Sequence, residues 1–216
     1  RLINENKIYE VLPYIKSPYH FGSRLEIKGD YLYASIGERG EGMIAQDPSN
    51  SIGSIIKIHK NGDIPSDNPF IENPEWLPEI YQIGVRNPQG MSLDPLSKEI
   101  FISNHGPKGG DFIGPVISGT NYGWKKIGWG GTNYSGTKVG GGNAWEPGFL
   151  KPDFIWVPSI GVGGIKFYQG NAFPEWKNSL LVGSLKFKYL SVLHRENNQF
   201  IEEEVIFQNT IGRIRD

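Results

Sequence analysis

Two stretches of this sequence gather side chains able to do chemistry. Val85 to Asp111 reads VRNPQGMSLDPLSKEIFISNHGPKGGD, with Arg86, Asn87 and Gln89 ahead of one strand-like run and His105 with a Gly-Pro-Lys-Gly-Gly-Asp loop after the next. Upstream, His20 stands in SPYHFG. A neutral imidazole there can take a proton, and a histidine in such a turn serves equally as a hydrogen-bonded structural residue. RNPQG reads either as turn chemistry, because Pro88 restricts Asn87 to extended geometry, or as part of a site. The Gly106-Pro107 pair reads as a flexible loop or as backbone carbonyls turned outward, and oxygen-only ligation of that kind suits calcium. Lys186, Arg213 and Arg215 are surface charges if scattered; gathered on one rim they form a cation cluster for a ligand bearing several carboxylates.

Whether these groups meet depends on the elements that carry them. RLEIKGDYLYASIGE (24–38) alternates apolar and polar residues around Gly29-Asp30, which predicts an antiparallel hairpin with one buried face. GMSLDPLSKEIFISNHG (90–106) repeats the plan around Asp94-Pro95, and GGIKFYQGNAFPEWKNSLLVGSLK (163–186) repeats it with a longer connection. Second hairpins are expected around Asn61-Gly62 and around Asn197-Asn198. Four short strands per unit, seen about three times at spacings of roughly 40–50 residues or more, predict an all-β chain of propeller blades, with a β-sandwich as the competitor. In a propeller the first strand of each blade lines the central channel and the second runs back beside it. PYHFGSRL, VRNPQG, WVPSIGVGG and GRIRD then lie at strand entries, and IGERG, NHGPKGGD and GSLKFK at strand exits, all on one rim.

Composition narrows the function classes. The 22 basic and 23 acidic residues nearly cancel, so no electrostatic footprint points to nucleic acid or an anionic membrane. Cysteine is absent, which removes disulfides, thiol nucleophiles and cysteine-ligated metals. No apolar run approaches the roughly 18 residues of a membrane span. With 29 glycines and 15 prolines among many aromatic residues, short strands and turns are favoured over helices.

The ordered series HFGSRL, IGERG, NGDIPSDNPF, YQIGVRNPQG, NHGPKGGD, GTNYGW, PSIG, LLVGSLK and GRIRD resembles the soluble aldose sugar dehydrogenases that depend on pyrroloquinoline quinone (PQQ), relatives of soluble glucose dehydrogenase. The resemblance runs almost end to end and implies a six-bladed β-propeller, of which residues 1–216 hold roughly three to four blades as one open arc, truncated at both ends and inactive alone. It implies oxidation of an aldose at C1 to the lactone, calcium-bound PQQ as cofactor, a periplasmic location and an electron acceptor not specified by the sequence. His20 matches the general base. Arg86 matches the arginine beside the quinone carbonyls, Asn87 a polar contact to the cofactor, and Lys186, Arg213 and Arg215 the cations that grip its carboxylates. Gly106 and Pro107 match the carbonyl ligands of calcium, and Trp156 a tryptophan at the substrate mouth.

The chain departs from the family pattern at Asn104, where glutamate is common, and at Phe112, where a carboxylate would serve a second calcium site. Tyr19 stands where glucose-specific relatives carry an acid. A calcium-dependent lactone or ester hydrolase and a non-catalytic binding propeller are the competing functions.

Overall fold

A computed structural model of the chain describes residues 5–197 and 199–216. It contains three four-stranded antiparallel sheets in chain order. The first comprises Gly22–Lys28 (β1), Tyr31–Ile36 (β2), Ser54–His59 (β3) and Ile80–Ile83 (β4). The second comprises Pro88–Leu93 (β5), Ile100–Asn104 (β6), Asp111–Pro115 (β7) and Phe154–Trp156 (β8). The third comprises Val162–Phe167 (β9), Leu180–Ser184 (β10), Leu190–Glu196 (β11) and Gln199–Ile206 (β12). No α-helix occurs among the described residues; Gly42–Gln46 and Pro174–Trp176 form short 3₁₀ turns.

The innermost strands β1, β5 and β9 touch in succession, so the sheets stand as adjacent blades in an open arc rather than as the two layers of a sandwich. The middle blade shows why. Phe101 and Ile102 on β6, and Phe112 and Ile113 on β7, are all buried although neighbours in a strand point to opposite faces. Ile102 and Phe112 join Ile55, Val85, Tyr122 and Trp129 between blades one and two, while Phe101 and Ile113 join Val162, Phe167, Leu180 and Phe200 between blades two and three. Phe112 is therefore a core residue, and fully burying such a ring contributes about 1.5–3 kcal/mol.

An ion pair to a buried carboxylate adds a second tie between blades two and three. Arg195 on β11 lies 4.8 Å from the centre of the Phe200 ring and 5.1 Å from that of Phe101, and its Nη1 donates to Asp94 Oδ2 at 2.5 Å.

One expected hairpin is replaced by a longer route. The Asn61-Gly62 turn forms, with Gly62 N–H on His59 O at 2.9 Å, but β3 pairs with β4, nearly twenty residues later. Pro65, Pro69, Pro74 and Pro78 follow the turn, and residues without an N–H cannot sustain the returning ladder. The β11–β12 hairpin is present with Glu196 opposite Gln199, although Asn198 itself lies outside the described residues.

Past β12 the chain comes back to the innermost strand of blade three. Glycines make that approach possible: a Cβ on Gly163 would sit 2.5 Å from Ile214 O, one on Gly164 2.7 Å from Arg215 O, and one on Gly183 2.7 Å from Ile214 O. Gly164 N–H donates to Arg215 O.

Candidate active site

Strand entries and exits of the three blades converge, and hydrogen bonds link them. His20 sits at positive φ (49°) just before β1, and its carbonyl accepts from Arg39 N–H at 3.2 Å, closing the entry of β1 onto the exit of β2. Its ring Nδ1–H donates to Glu38 Oε1. Glu38 is 1% exposed; its Oε2 accepts from Gly42 N–H, and its own N–H donates to Arg86 O at 2.9 Å. A carboxylate that holds the proton on Nδ1 leaves the Nε2 lone pair for a substrate hydroxyl. The His20 ring keeps 21% of its surface exposed, so Nε2 chemistry has access.

Arg86 enters the second blade almost fully buried, with its guanidinium carbon 5.3 Å from the centre of the Trp124 ring and Nη1 on His105 O at 3.3 Å. Its Nε has no hydrogen-bond partner among the described residues. Burial lowers the guanidinium below its ordinary value, and nearby Tyr134, Glu38 and Asp111 act in the opposite direction. A buried donor left unpaired costs about 1–3 kcal/mol, which a bound acceptor would offset. Asn104, wholly buried, fixes this entry by accepting from Arg86 N–H at 3.1 Å and Asn87 N–H at 2.9 Å. The Asn87 side chain ties blade two to blade one, because its Oδ1 accepts from Gly22 N–H at 3.1 Å and from Gln89 at 3.0 Å.

Asp111 performs the equivalent joining between blades two and three. Its Oδ1 accepts from Gly106 N–H at 2.8 Å, and its Oδ2 from Gly161 N–H at 2.6 Å and Val162 N–H at 3.0 Å. The same carboxylate thus shapes the Gly106–Gly110 turn and anchors the start of β9. His105 Nε2–H donates to Val162 O at 2.5 Å. Burial holds this imidazole below its ordinary value, Asp111 and the Val162 carbonyl oppose that, and Arg86 and His20 reinforce it.

Beside this junction lies a cavity of about 360 Å³ whose wall includes Gly106, Pro107, Lys108, Tyr134, Lys186 and Arg213. Gly106 and Pro107 are buried, and among the described residues neither carbonyl oxygen accepts a hydrogen bond. Lys186 Nζ donates to Ser159 O at 3.2 Å. A larger cavity of about 710 Å³ lies against residues 11–18, but among the described residues its wall holds no histidine or carboxylate, so the smaller one is where the chemistry gathers.

Among the described residues no group of three or more His, Cys, Asp and Glu side chains is arranged to hold a metal. A cation here would depend on carbonyl oxygens, which Gly106 and Pro107 offer, together with oxygens of a co-bound ligand. Such a donor set would suit calcium held jointly with a polycarboxylate.

The structure brings His20, Arg86 and Asn87 to one linked rim, and Gly106, Pro107, Lys186 and Arg213 to one cavity. Arg215 does not line that cavity; it stands two residues beyond Arg213, a step of up to about 7 Å along the chain, with its carbonyl on Gly164. Trp156 is likewise not brought there. It is 6% exposed on outermost β8, packed between blades two and three, with its indole N–H on Glu202 at 3.2 Å. Sequence reasoning passed over Glu38, Lys108 and Tyr134. Glu38 carried a signal, an acid at the exit of a strand whose buried face leads straight to it, while Tyr134 sits in a glycine-rich loop with no periodic pattern.

The profile described as Glucose / Sorbosone dehydrogenase matches residues 1–216. The chain belongs to the glucose/sorbosone dehydrogenase family. Within that family, the aldose sugar dehydrogenase YliI of Escherichia coli is 36% identical over 210 residues, which cover 97% of this chain and 57% of the relative. The solved apo-form of soluble aldose sugar dehydrogenase from Escherichia coli aligns with a TM-score of 0.92 over 97% of this chain and 60% of that one, at 36% identity. The PQQ-bound aldose sugar dehydrogenase of Streptomyces coelicolor aligns with a TM-score of 0.71 at 25% identity, over 93% of this chain and 53% of that one. This family member thus spans a little over half the length of those relatives. No helix among its described residues is long and apolar enough to cross a membrane.

Proposed function

We propose that this chain carries the base-bearing and cofactor-binding part of a PQQ-dependent dehydrogenase that oxidises an aldose at C1 to its lactone. The observation that supports it most directly is the imidazole of His20, oriented by a buried carboxylate, on the rim that also carries a cavity lined by free carbonyls and cations. When bound, PQQ supplies the electrophile that takes up the hydride leaving C1. His20 Nε2 accepts the proton of the anomeric hydroxyl as that hydride departs, and Glu38 stabilises the imidazolium so formed. Arg86, with its unpaired Nε, provides positive charge where negative charge develops. Asn87, whose Oδ1 is taken by Gly22 and Gln89, would have its amide N–H groups left for the cofactor. Gly106 and Pro107 carbonyls would hold calcium, while Lys186 and Arg213 would bind the carboxylates. Tyr19, 63% exposed beside the base, replaces an acid near the substrate and fits an aldose preference other than glucose. A periplasmic setting belongs to the same reading.

The test is reconstitution of the full-length protein with PQQ and calcium, followed by dye reduction with a panel of aldoses. His20→Ala is expected to lower turnover roughly 10²–10⁴-fold, the range for a positioned general base. Turnover that survives this change intact removes His20 from the role.

A further inference from the structure

Lys186, Arg213 and the two free carbonyls can grip the edges of a flat polycarboxylate, but edge contacts leave its ring faces open to water. Two aromatic rings line the cavity wall; the His105 imidazole is tied to Val162 O, which leaves the Tyr134 ring to cover a face. Tyr134 lines the cavity while 74% exposed. Isolated exposed tyrosines are ordinary, so exposure alone carries no weight. The backbone beneath this one is what sets it apart.

Residues 132–138 form a tight turn, with Asn133 N–H on Thr137 O at 2.8 Å and Gly136 N–H on Asn133 O at 2.8 Å. Asn133 Nδ2 donates to Thr137 Oγ1 at 3.0 Å and to Lys138 O at 2.8 Å. The stem is fastened by Trp129, 1% exposed, whose Nε1–H binds Tyr122 O at 2.9 Å. The turn is also bolted to the carbonyl loop. Lys108 N–H donates to Thr132 O at 2.9 Å, and Gly131 packs so closely that a Cβ there would lie 1.8 Å from Gly109 O. A backbone held this firmly has little freedom left to lose when a ligand lies against the ring, so only the two side-chain torsions of Tyr134 remain to be ordered.

The geometry points to Tyr134 as the stacking wall of this cavity, covering one face of the planar cofactor, with Lys108 beside it as a third cation for its carboxylates. This rests on the PQQ reading above. It assigns to Lys108, next to the carbonyl ligand Pro107, the charge that Arg215 does not bring to the wall.

The experiment is titration of PQQ, at saturating calcium, into the full-length protein, followed by intrinsic fluorescence or calorimetry rather than turnover. Tyr134→Leu is expected to weaken PQQ binding about 10-fold, the scale of a lost aromatic contact. Tyr134→Phe is expected to stay within about twofold of wild type, since the ring face is retained. Lys108→Met is expected to weaken binding about two- to fivefold at low salt and less at high salt, as for an exposed ion pair. The unfolding midpoint of Tyr134→Leu should match wild type, and a large fall would make the ring a packing element and overturn the proposal. Undiminished PQQ affinity in Tyr134→Leu overturns the stacking wall alone, as does a raised aldose KM with PQQ affinity unchanged. A wild-type protein that binds no PQQ overturns the cofactor reading and the wall with it.

Discussion

Glu38→Gln is the most informative single change on the rim, because it alters charge with almost no change of shape. Glu38 uses both oxygens: one for the Nδ1–H of His20 and one for Gly42 N–H. Glutamine keeps a single oxygen, so one of those donors must face an NH2 group. Gly42 N–H is part of the backbone and cannot turn away, whereas the imidazole can move its proton to Nε2. The proton then occupies the atom that has to receive the one from the sugar. A charge-assisted hydrogen bond contributes about 1.5–3 kcal/mol, so kcat is expected to fall roughly 10- to 150-fold, with PQQ affinity unaffected. The assay is dye-coupled turnover at saturating aldose in the reconstituted full-length protein, run on Glu38→Gln, His20→Ala and the double variant. If Glu38 acts through His20, the double variant is no slower than His20→Ala alone. Independent, multiplying losses would refute the orienting role, as would a Glu38→Gln protein within twofold of wild type.

Lys186→Ala is expected to weaken PQQ binding by about 1.5–3 kcal/mol in a direct titration, with the melting curve unchanged because the side chain is exposed; equal affinities would exclude direct contact. Asp94→Asn probes the tie between blades two and three. Burial pushes the Asp94 carboxyl up, but Ser97, the Leu96 N–H and Arg195 outweigh it and hold the group below its ordinary value. A carboxyl depressed in the folded state contributes stability present above its unfolded value of about 3.9 and lost as pH falls through the folded one. Denaturant titrations should therefore show Asp94→Asn about 2–3 kcal/mol less stable at pH 7, somewhat below a fully buried pair because the Arg195 side chain is 25% exposed, with the gap closing in acid. A gap independent of pH would assign the loss to packing.

The hairpins of the inner strands were legible because alternation within 24–38, 90–106 and 163–186 is dense enough to fix both strand and turn. The rim followed from them by topology alone, since entries and exits of meandering strands share an end. The outer strands were less so. Ile80–Ile83 has only four residues after a proline-broken excursion, and Phe154–Trp156 only three after a long loop, too few for a period to show. Phe112 read as a lost carboxylate, and in this chain its ring fills the core between blades one and two. Trp156 shows the same limit: sequence position puts it at the rim end of a strand, while its depth in the blade depends on which strand that is. Tyr134 had no local signal, because its position depends on the bond between Thr132 and Lys108, far apart in sequence.

The seam between residues 214–215 and the inner edge of blade three brings main chain against main chain, with Gly163 and Gly164 on β9 and Gly183 on β10 supplying no side chains. Such a joint has a width fixed by covalent geometry and van der Waals radii rather than by which hydrocarbon fills a gap. The cores on either side of blade two can exchange isoleucine for valine or leucine for methionine as this lineage diverges, and the resulting shifts of a few tenths of an ångström are absorbed among side chains. Arg213, one residue from that seam, is expected to inherit less of that drift. The anion-gripping end of the cavity is in this sense mechanically decoupled from the hydrophobic interior, and it can keep its dimensions while the sequence around it changes.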